Sequence, residues 1–247
     1  MILRKIALYC FLAFITTGCT NATSVRHVSG YNKSMLAHKE ILILPMQVEV
    51  YTLNVNNRKE RKYDYEDHLE ELLKQETLLV MQKNDLRAKW LHKKDIRDQK
   101  IDDIVAHVVR SYNNACEALY PSLFLEEEYA FSITQNIGKS AIVLGEKTGS
   151  DLFVLINYSQ MIKTNGARAR DLLMSAFGCP ASESDTIFMS LAIIEAKSGR
   201  ILWTNATPKA QPFLGSTFYS RDKSEIENFH FVINVLLSVI VEILSYI

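Results

Sequence analysis

The sequence predicts an α/β fold, a single sandwich with a mixed sheet flanked by helices. Three observations carry this. Short apolar runs at 41–44, 151–156 and 187–196 are strand-length and rich in Ile, Val, Leu and Phe, as strands buried on both faces are. Between them, apolar residues recur at i, i+3, i+4 and i+7, which is the stripe of a packed helix. Strand, helices, strand, hairpin and helix then follow in one continuous pattern, so residues 40–247 read as one domain.

The N-terminus comes first. Arg4 and Lys5 give a short positive region, residues 6–15 are apolar, and Thr16-Thr17-Gly18-Cys19 follows. This is the layout of a secretory signal peptide, too short to span a bilayer comfortably. Small residues precede a cleavage point between Gly18 and Cys19. A cysteine at that point resembles the lipobox of bacterial lipoproteins, whose Cys thiol receives diacylglycerol before cleavage. The alternatives are an ordinary signal with a chance cysteine and an uncleaved anchor. On the lipobox reading residues 1–18 are removed and Cys19 is lipidated. Residue 20 is Thr, not Asp, and by resemblance to enterobacterial sorting this implies the outer membrane, facing the periplasm. Residues 19–39, rich in Asn, Ser, Thr, Lys and His, read as a flexible tether.

The domain opens on Ile41-Leu42-Ile43-Leu44, a buried strand ended by Pro45, which lacks an N–H. Val48, Val50 and Leu53 continue as a second extended piece. Residues 58–103 carry twelve charges of each sign and read as solvated helix surface. Within them Leu69, Leu72, Leu73 and Val80 mark one face of a helix over 65–83. Ile101, Ile104, Val105, Val108, Val109, Tyr112, Cys116 and Leu119 mark a clearer one, stopping before Pro121. A third helix is expected over 126–148, with three glutamates in its first turn and Gly149 as its cap. Residues 187–196, the turn Lys197-Ser198-Gly199-Arg200 and Ile201-Leu202-Trp203 read as an antiparallel hairpin. Residues 225–247 read as an amphipathic helix packed on the sheet, since His230, Asn234, Ser238 and Glu242 recur every four residues as a polar stripe.

The composition excludes several classes. Lys+Arg 28 balances Asp+Glu 28, so no global field recruits nucleic acid. Gly138-Lys139-Ser140 resembles the end of a phosphate loop, but Ile133 stands where its first glycine is needed and the segment reads as helical; no nucleotide is expected. Asp103 and His107 lie four apart on a solvated helix face and read as a surface pair; no metal or cofactor is expected. No nucleophile elbow, H-E-x-x-H or C-x-x-C is present. Thr164-Asn165-Gly166-Ala167-Arg168-Ala169-Arg170 follows the buried strand and is expected to open a short helix. Arg168 and Arg170 there fit either an anion or peptide carboxylate, or a structural pair with an acidic side chain. Cys116 and Cys179 remain after export to an oxidising compartment, where pairing is one reading and a core cysteine at 116 the other.

The runs Ile41-Leu42-Ile43-Leu44-Pro45-Met46-Gln47-Val48-Glu49, Leu144-Gly145-Glu146-Lys147-Thr148-Gly149-Ser150-Asp151-Leu152-Phe153-Val154, Asn165-Gly166-Ala167-Arg168 and Ser198-Gly199-Arg200-Ile201-Leu202-Trp203-Thr204-Asn205 together resemble a family of uncharacterised proteobacterial lipoproteins. Their pattern is also similar to periplasmic domains of curli-secretion and penicillin-binding-protein activator lipoproteins. The resemblance implies a non-catalytic domain held at the membrane by its N-terminal lipid, binding or scaffolding envelope proteins through a surface near Arg168, Arg170 and the Gly199 turn. A subunit of an outer-membrane secretion or assembly complex is the alternative, although residues 58–103 lack the alternation of membrane strands. A cell-envelope hydrolase is the third.

Overall fold

The structure is a computed structural model that describes residues 24–120, 133–177, 186–206 and 211–212. The signal, Cys19, Cys179 and the helix expected over 225–247 lie outside the described residues. In chain order the elements are β1 (Ser24–His27), β2 (Glu40–Ile43), β3 (Gln47–Leu53), β4 (Lys59–Arg61), α1 (Tyr63–Lys83), β5 (Arg87–Trp90), α2 (Lys93–Asp98), α3 (Asp102–Leu119), α4 (Lys139–Thr148), β6 (Leu152–Lys163), α5 (Asn165–Ala176), β7 (Thr186–Glu195), β8 (Ile201–Ala206) and β9 (Gln211–Pro212). They form the expected α/β architecture with one mixed sheet.

The sheet is built around β6. Its order is β1-β8-β7-β6-β2-β5, with β3 also paired to β6 and β4 beyond β3. The pairings β2–β6, β3–β6 and β2–β5 are parallel, whereas β6–β7, β7–β8 and β1–β8 are antiparallel. β2 and β3 lie on one side of β6, with Ile43 opposite Val154 and Gln47 opposite Asn157. Pro45 sits in the gap between them, where a ladder N–H is not needed. β6 starts as the sequence predicts and runs on to Lys163; Leu152, Phe153, Val154, Leu155 and Ile156 are all buried.

Helices cover both faces. On one face α3 sits over Asn157 of β6 and Ser190 of β7, and the Tyr112 hydroxyl donates to Ser190 Oγ at 3.1 Å. The apolar stripe read from the sequence is this buried face, from Val105 to Leu119. On the other face α1 packs with Leu69, Leu73, Thr77 and Val80 inward, and Lys74 Nζ lies 5.8 Å from the centre of the Trp90 ring. Trp203, 1% exposed, is core. α4 approaches the start of the β7–β8 turn so closely that a Cβ on Gly145 would stand 2.7 Å from Ala196 Cβ. That turn needs Gly199, whose φ is +71°.

Four expectations are corrected. The tether does not extend to residue 39: Ser24–His27 pairs along the edge of β8, and Val28 and Leu36 are buried. A polar edge strand is held by backbone hydrogen bonds, so its side chains carry little signal. The helix expected over 126–148 begins at Lys139. Its described approach is extended because Asn136 Nδ2 donates to Ser198 O and Asn136 Oδ1 accepts the Gly138 N–H, tying the segment to the β7–β8 turn. Gly138-Lys139-Ser140 therefore opens a helix instead of lying within one. Finally, the charged stretch hides β4, β5 and α2 beside its predicted helices. No helix among the described residues is long and apolar enough to cross a membrane.

Candidate binding groove

A groove of about 310 Å³ opens where α3 crosses β3, β6 and β7. That size lies at the small end of ligand pockets. Its walls follow from strand alternation. Asn157 and Ser159 point to the α3 face of β6, between apolar residues that point to the other face, and Gln47 and Glu49 stand beside them on β3. Asn113 and Glu117, one helical turn apart on α3, come down from above.

Three amides form a chain across the groove. Asn157 Nδ2 donates to Asn113 Oδ1 at 2.8 Å, and Asn113 Nδ2 donates to Gln47 Oε1 at 2.7 Å. Each bond fixes a side chain that would otherwise rotate freely, so the groove's donors and acceptors are pre-oriented. Glu49 accepts from the Tyr51 hydroxyl at 3.3 Å. Tyr120 closes one end, with the Arg26 guanidinium 4.9 Å from its ring centre. Burial pushes the Tyr120 hydroxyl well above the ordinary phenol range, and burial raises Tyr112 likewise. Both tyrosines are neutral at any physiological pH. Two carboxylates, Glu49 and Glu117, and no cation are among the described lining residues, so the groove favours a positive or hydrogen-bond-donating guest. Cys116 and Ser159 also line it, with no histidine or lysine among those residues to take their protons.

The sequence-predicted residues lie elsewhere or play other parts. Arg168 is half-buried on α5. Arg170 is engaged: its guanidinium donates to Val55 O and Asn57 Oδ1, both at 2.6 Å, and to Asp171 Oδ1 at 2.7 Å. Asp171 is itself buried and meets Lys163 Nζ at 2.5 Å. The structure thus favours the structural pairing of Arg170. The Gly199 turn does not join these arginines on one surface. It lies by Glu195, opposite Leu152, while α5 follows Lys163 at the far end of β6. Cys116 is buried in the apolar face of α3. Asp103 and His107 are exposed, and no group of three potential metal ligands gathers among the described residues.

Sequence reasoning missed Gln47, Glu49, Asn113 and Asn157. The available signal was Asn157 and Ser159 at alternate positions directly after the apolar run 152–156. Alternation of that kind marks a face that meets polar groups.

No protein-family model matches the chain, and no curated protein matches it. Among solved structures, a point variant of the PelC dodecamer from Paraburkholderia phytofirmans aligns at 10% identity with TM-score 0.37, covering 91% of this chain and 97% of that one. The PelC dodecamer from the same organism aligns at 8% identity with TM-score 0.33, covering 92% and 98%. The LpoB C-terminal domain from Salmonella enterica aligns at 10% identity with TM-score 0.25, covering 74% and 87%. No residue or role is carried over from these similarities.

Proposed function

We propose that this chain is a lipid-anchored envelope lipoprotein whose domain binds an envelope protein and performs no chemistry. The run from Arg4 to Cys19 supports the anchor and export to the periplasm, and Thr20 supports the outer membrane. The observation that carries the binding reading is the groove under α3. Its amide chain offers fixed hydrogen-bonding groups, its carboxylates supply negative potential, and a tether raises the local concentration of what it meets. Such a surface suits a polar, cation-bearing segment of a protein.

The test is capture of the crosslinked chain from its own envelope. Glu49→Lys with Glu117→Lys should abolish recovery of the partner that the parent chain captures, while the urea midpoint stays unchanged. Equal recovery by parent and variant refutes the groove. Turnover of peptidoglycan, phospholipid or nucleotide by the purified chain, abolished by one polar substitution, refutes the non-catalytic reading.

A further inference from the structure

The floor of the groove under α3 is one row of the sheet. Glu49 of β3 stands opposite Ser159 of β6, and Ser159 opposite Phe188 of β7. Neighbouring strands lie ~4.8 Å apart, so the row is about 10 Å across. All three side chains line the groove, and the smallest is in the middle. Ser159 therefore forms the base of a recess with a carboxylate on one side and a flat ring on the other. Glu117 reaches it from α3 above.

The polar groups around this recess are mostly acceptors that the chain itself does not use. Glu49 accepts the Tyr51 hydroxyl through Oε2, which leaves Oε1. The amide chain has a direction. Asn157 spends its Nδ2 and Asn113 both of its ends, so an acceptor, Asn157 Oδ1, is left at one end and a donor, Gln47 Nε2, at the other. Among the described residues neither of these atoms meets a partner, and neither does the Glu117 carboxylate. Acceptors thus face the recess from the floor and from the helix, and two of them carry negative charge.

A guanidinium meets this arrangement better than an ammonium. Its five N–H groups radiate in one plane, so it donates on several sides at once, and its faces stack on a ring. An ammonium directs three N–H groups from one point and holds its water tightly, which leaves the Phe188 wall unused. Arg26 sets the orientation. Its guanidinium lies 4.9 Å from the centre of the Tyr120 ring, which closes one end of the groove, and it repels a guest cation away from that end.

We propose that the groove takes an arginine side chain of the partner protein, with the guanidinium in the Ser159 recess, against Phe188 and between Glu49 and Glu117. The inference rests on the reading of the groove as a protein-binding site and names the group it recognises. Asn157 Oδ1 and Gln47 Nε2, an acceptor and a donor on adjacent strands, suit the N–H and C=O of the guest's own backbone.

The test titrates the full chain, purified from bacterial membranes in a non-ionic detergent, with three capped pentapeptides by calorimetry. Each has arginine, lysine or citrulline at its centre and glycine elsewhere; citrulline keeps the shape of arginine and lacks its charge. The arginine peptide should bind about tenfold more tightly than the lysine peptide, the worth of one charge-assisted hydrogen bond, and the citrulline peptide more weakly still. Glu49→Gln and Glu117→Gln should each weaken the arginine peptide by a similar factor, whereas Glu146→Gln on α4 should not. The order of the three peptides on the parent chain decides even where a variant fails to fold. Lysine or citrulline bound as tightly as arginine overturns the proposal. So does the absence of binding by all three to a chain that still captures its partner through Glu49 and Glu117, and the groove then stands without the arginine. Unaltered capture by Glu49→Lys with Glu117→Lys overturns the groove, and arginine recognition with it.

Discussion

Replacing Asp171 with Ala separates a structural role for the α5 charges from a recognition role. The Asp171 side chain is 11% exposed, as is that of Lys163, and Arg170 is 24% exposed. Removing the carboxylate leaves two cations side by side, largely out of water. Breaking a buried pair in this way costs about 3–5 kcal/mol. Arg170 keeps its bonds to Val55 O and Asn57 Oδ1, which places the cost toward the lower part of that range. Arg170→Ala is milder, because Asp171 retains Lys163; losing its hydrogen bonds costs about 1–3 kcal/mol. Arg170→Glu sets like charges against each other and should exceed Arg170→Ala. Urea unfolding of the signal-free Cys19→Ser chain reads this directly. With a slope of ~2 kcal/mol per molar urea, a cost of about 3–4 kcal/mol should lower the Asp171→Ala midpoint by about 1.5–2 M. A midpoint within ~0.3 M of the parent would mean that the cluster behaves as a solvated surface pair, and the account of α5 as a helix docked through charges would fail.

Three further outcomes follow from the same structure. Burial works to raise the Glu66 carboxyl, but hydrogen bonds from Arg61 and from the Val50 N–H outweigh it and hold the group below its ordinary range. A carboxyl depressed on folding contributes stability that is present above the unfolded value and lost as pH falls through the folded one. The parent should therefore lose stability below about pH 4.3, and Glu66→Gln should flatten that acid limb in melts taken across pH. Gly145→Ala should destabilise by about 1–3 kcal/mol in thermal melts, because the 2.7 Å approach of Ala196 Cβ and 3.3 Å approach of Ser150 O outweigh the ~1 kcal/mol gain in helix propensity. Cys19→Ser should abolish fatty-acid labelling and leave the precursor uncleaved; equal label in both chains refutes lipidation there.

What was legible in the sequence follows from what holds each element. β2, β6 and the β7–β8 hairpin are held by side-chain burial, so their apolar runs announce them. α3 shows its period because one stripe from Val105 to Leu119 meets the sheet. β1, β4 and β5 are short and polar, and β4 is exposed throughout. Their stability comes from ladder hydrogen bonds that every sequence can make, so composition cannot reveal them. The start of α4 was misplaced because the residues that hold its approach, Asn136 and Ser198, are 62 apart in sequence. The site was less legible for the same reason. Asn113 meets Gln47 across 66 residues, and Arg170 meets Val55 across 115. Only the adjacent Asp171 could have suggested that Arg170 was occupied.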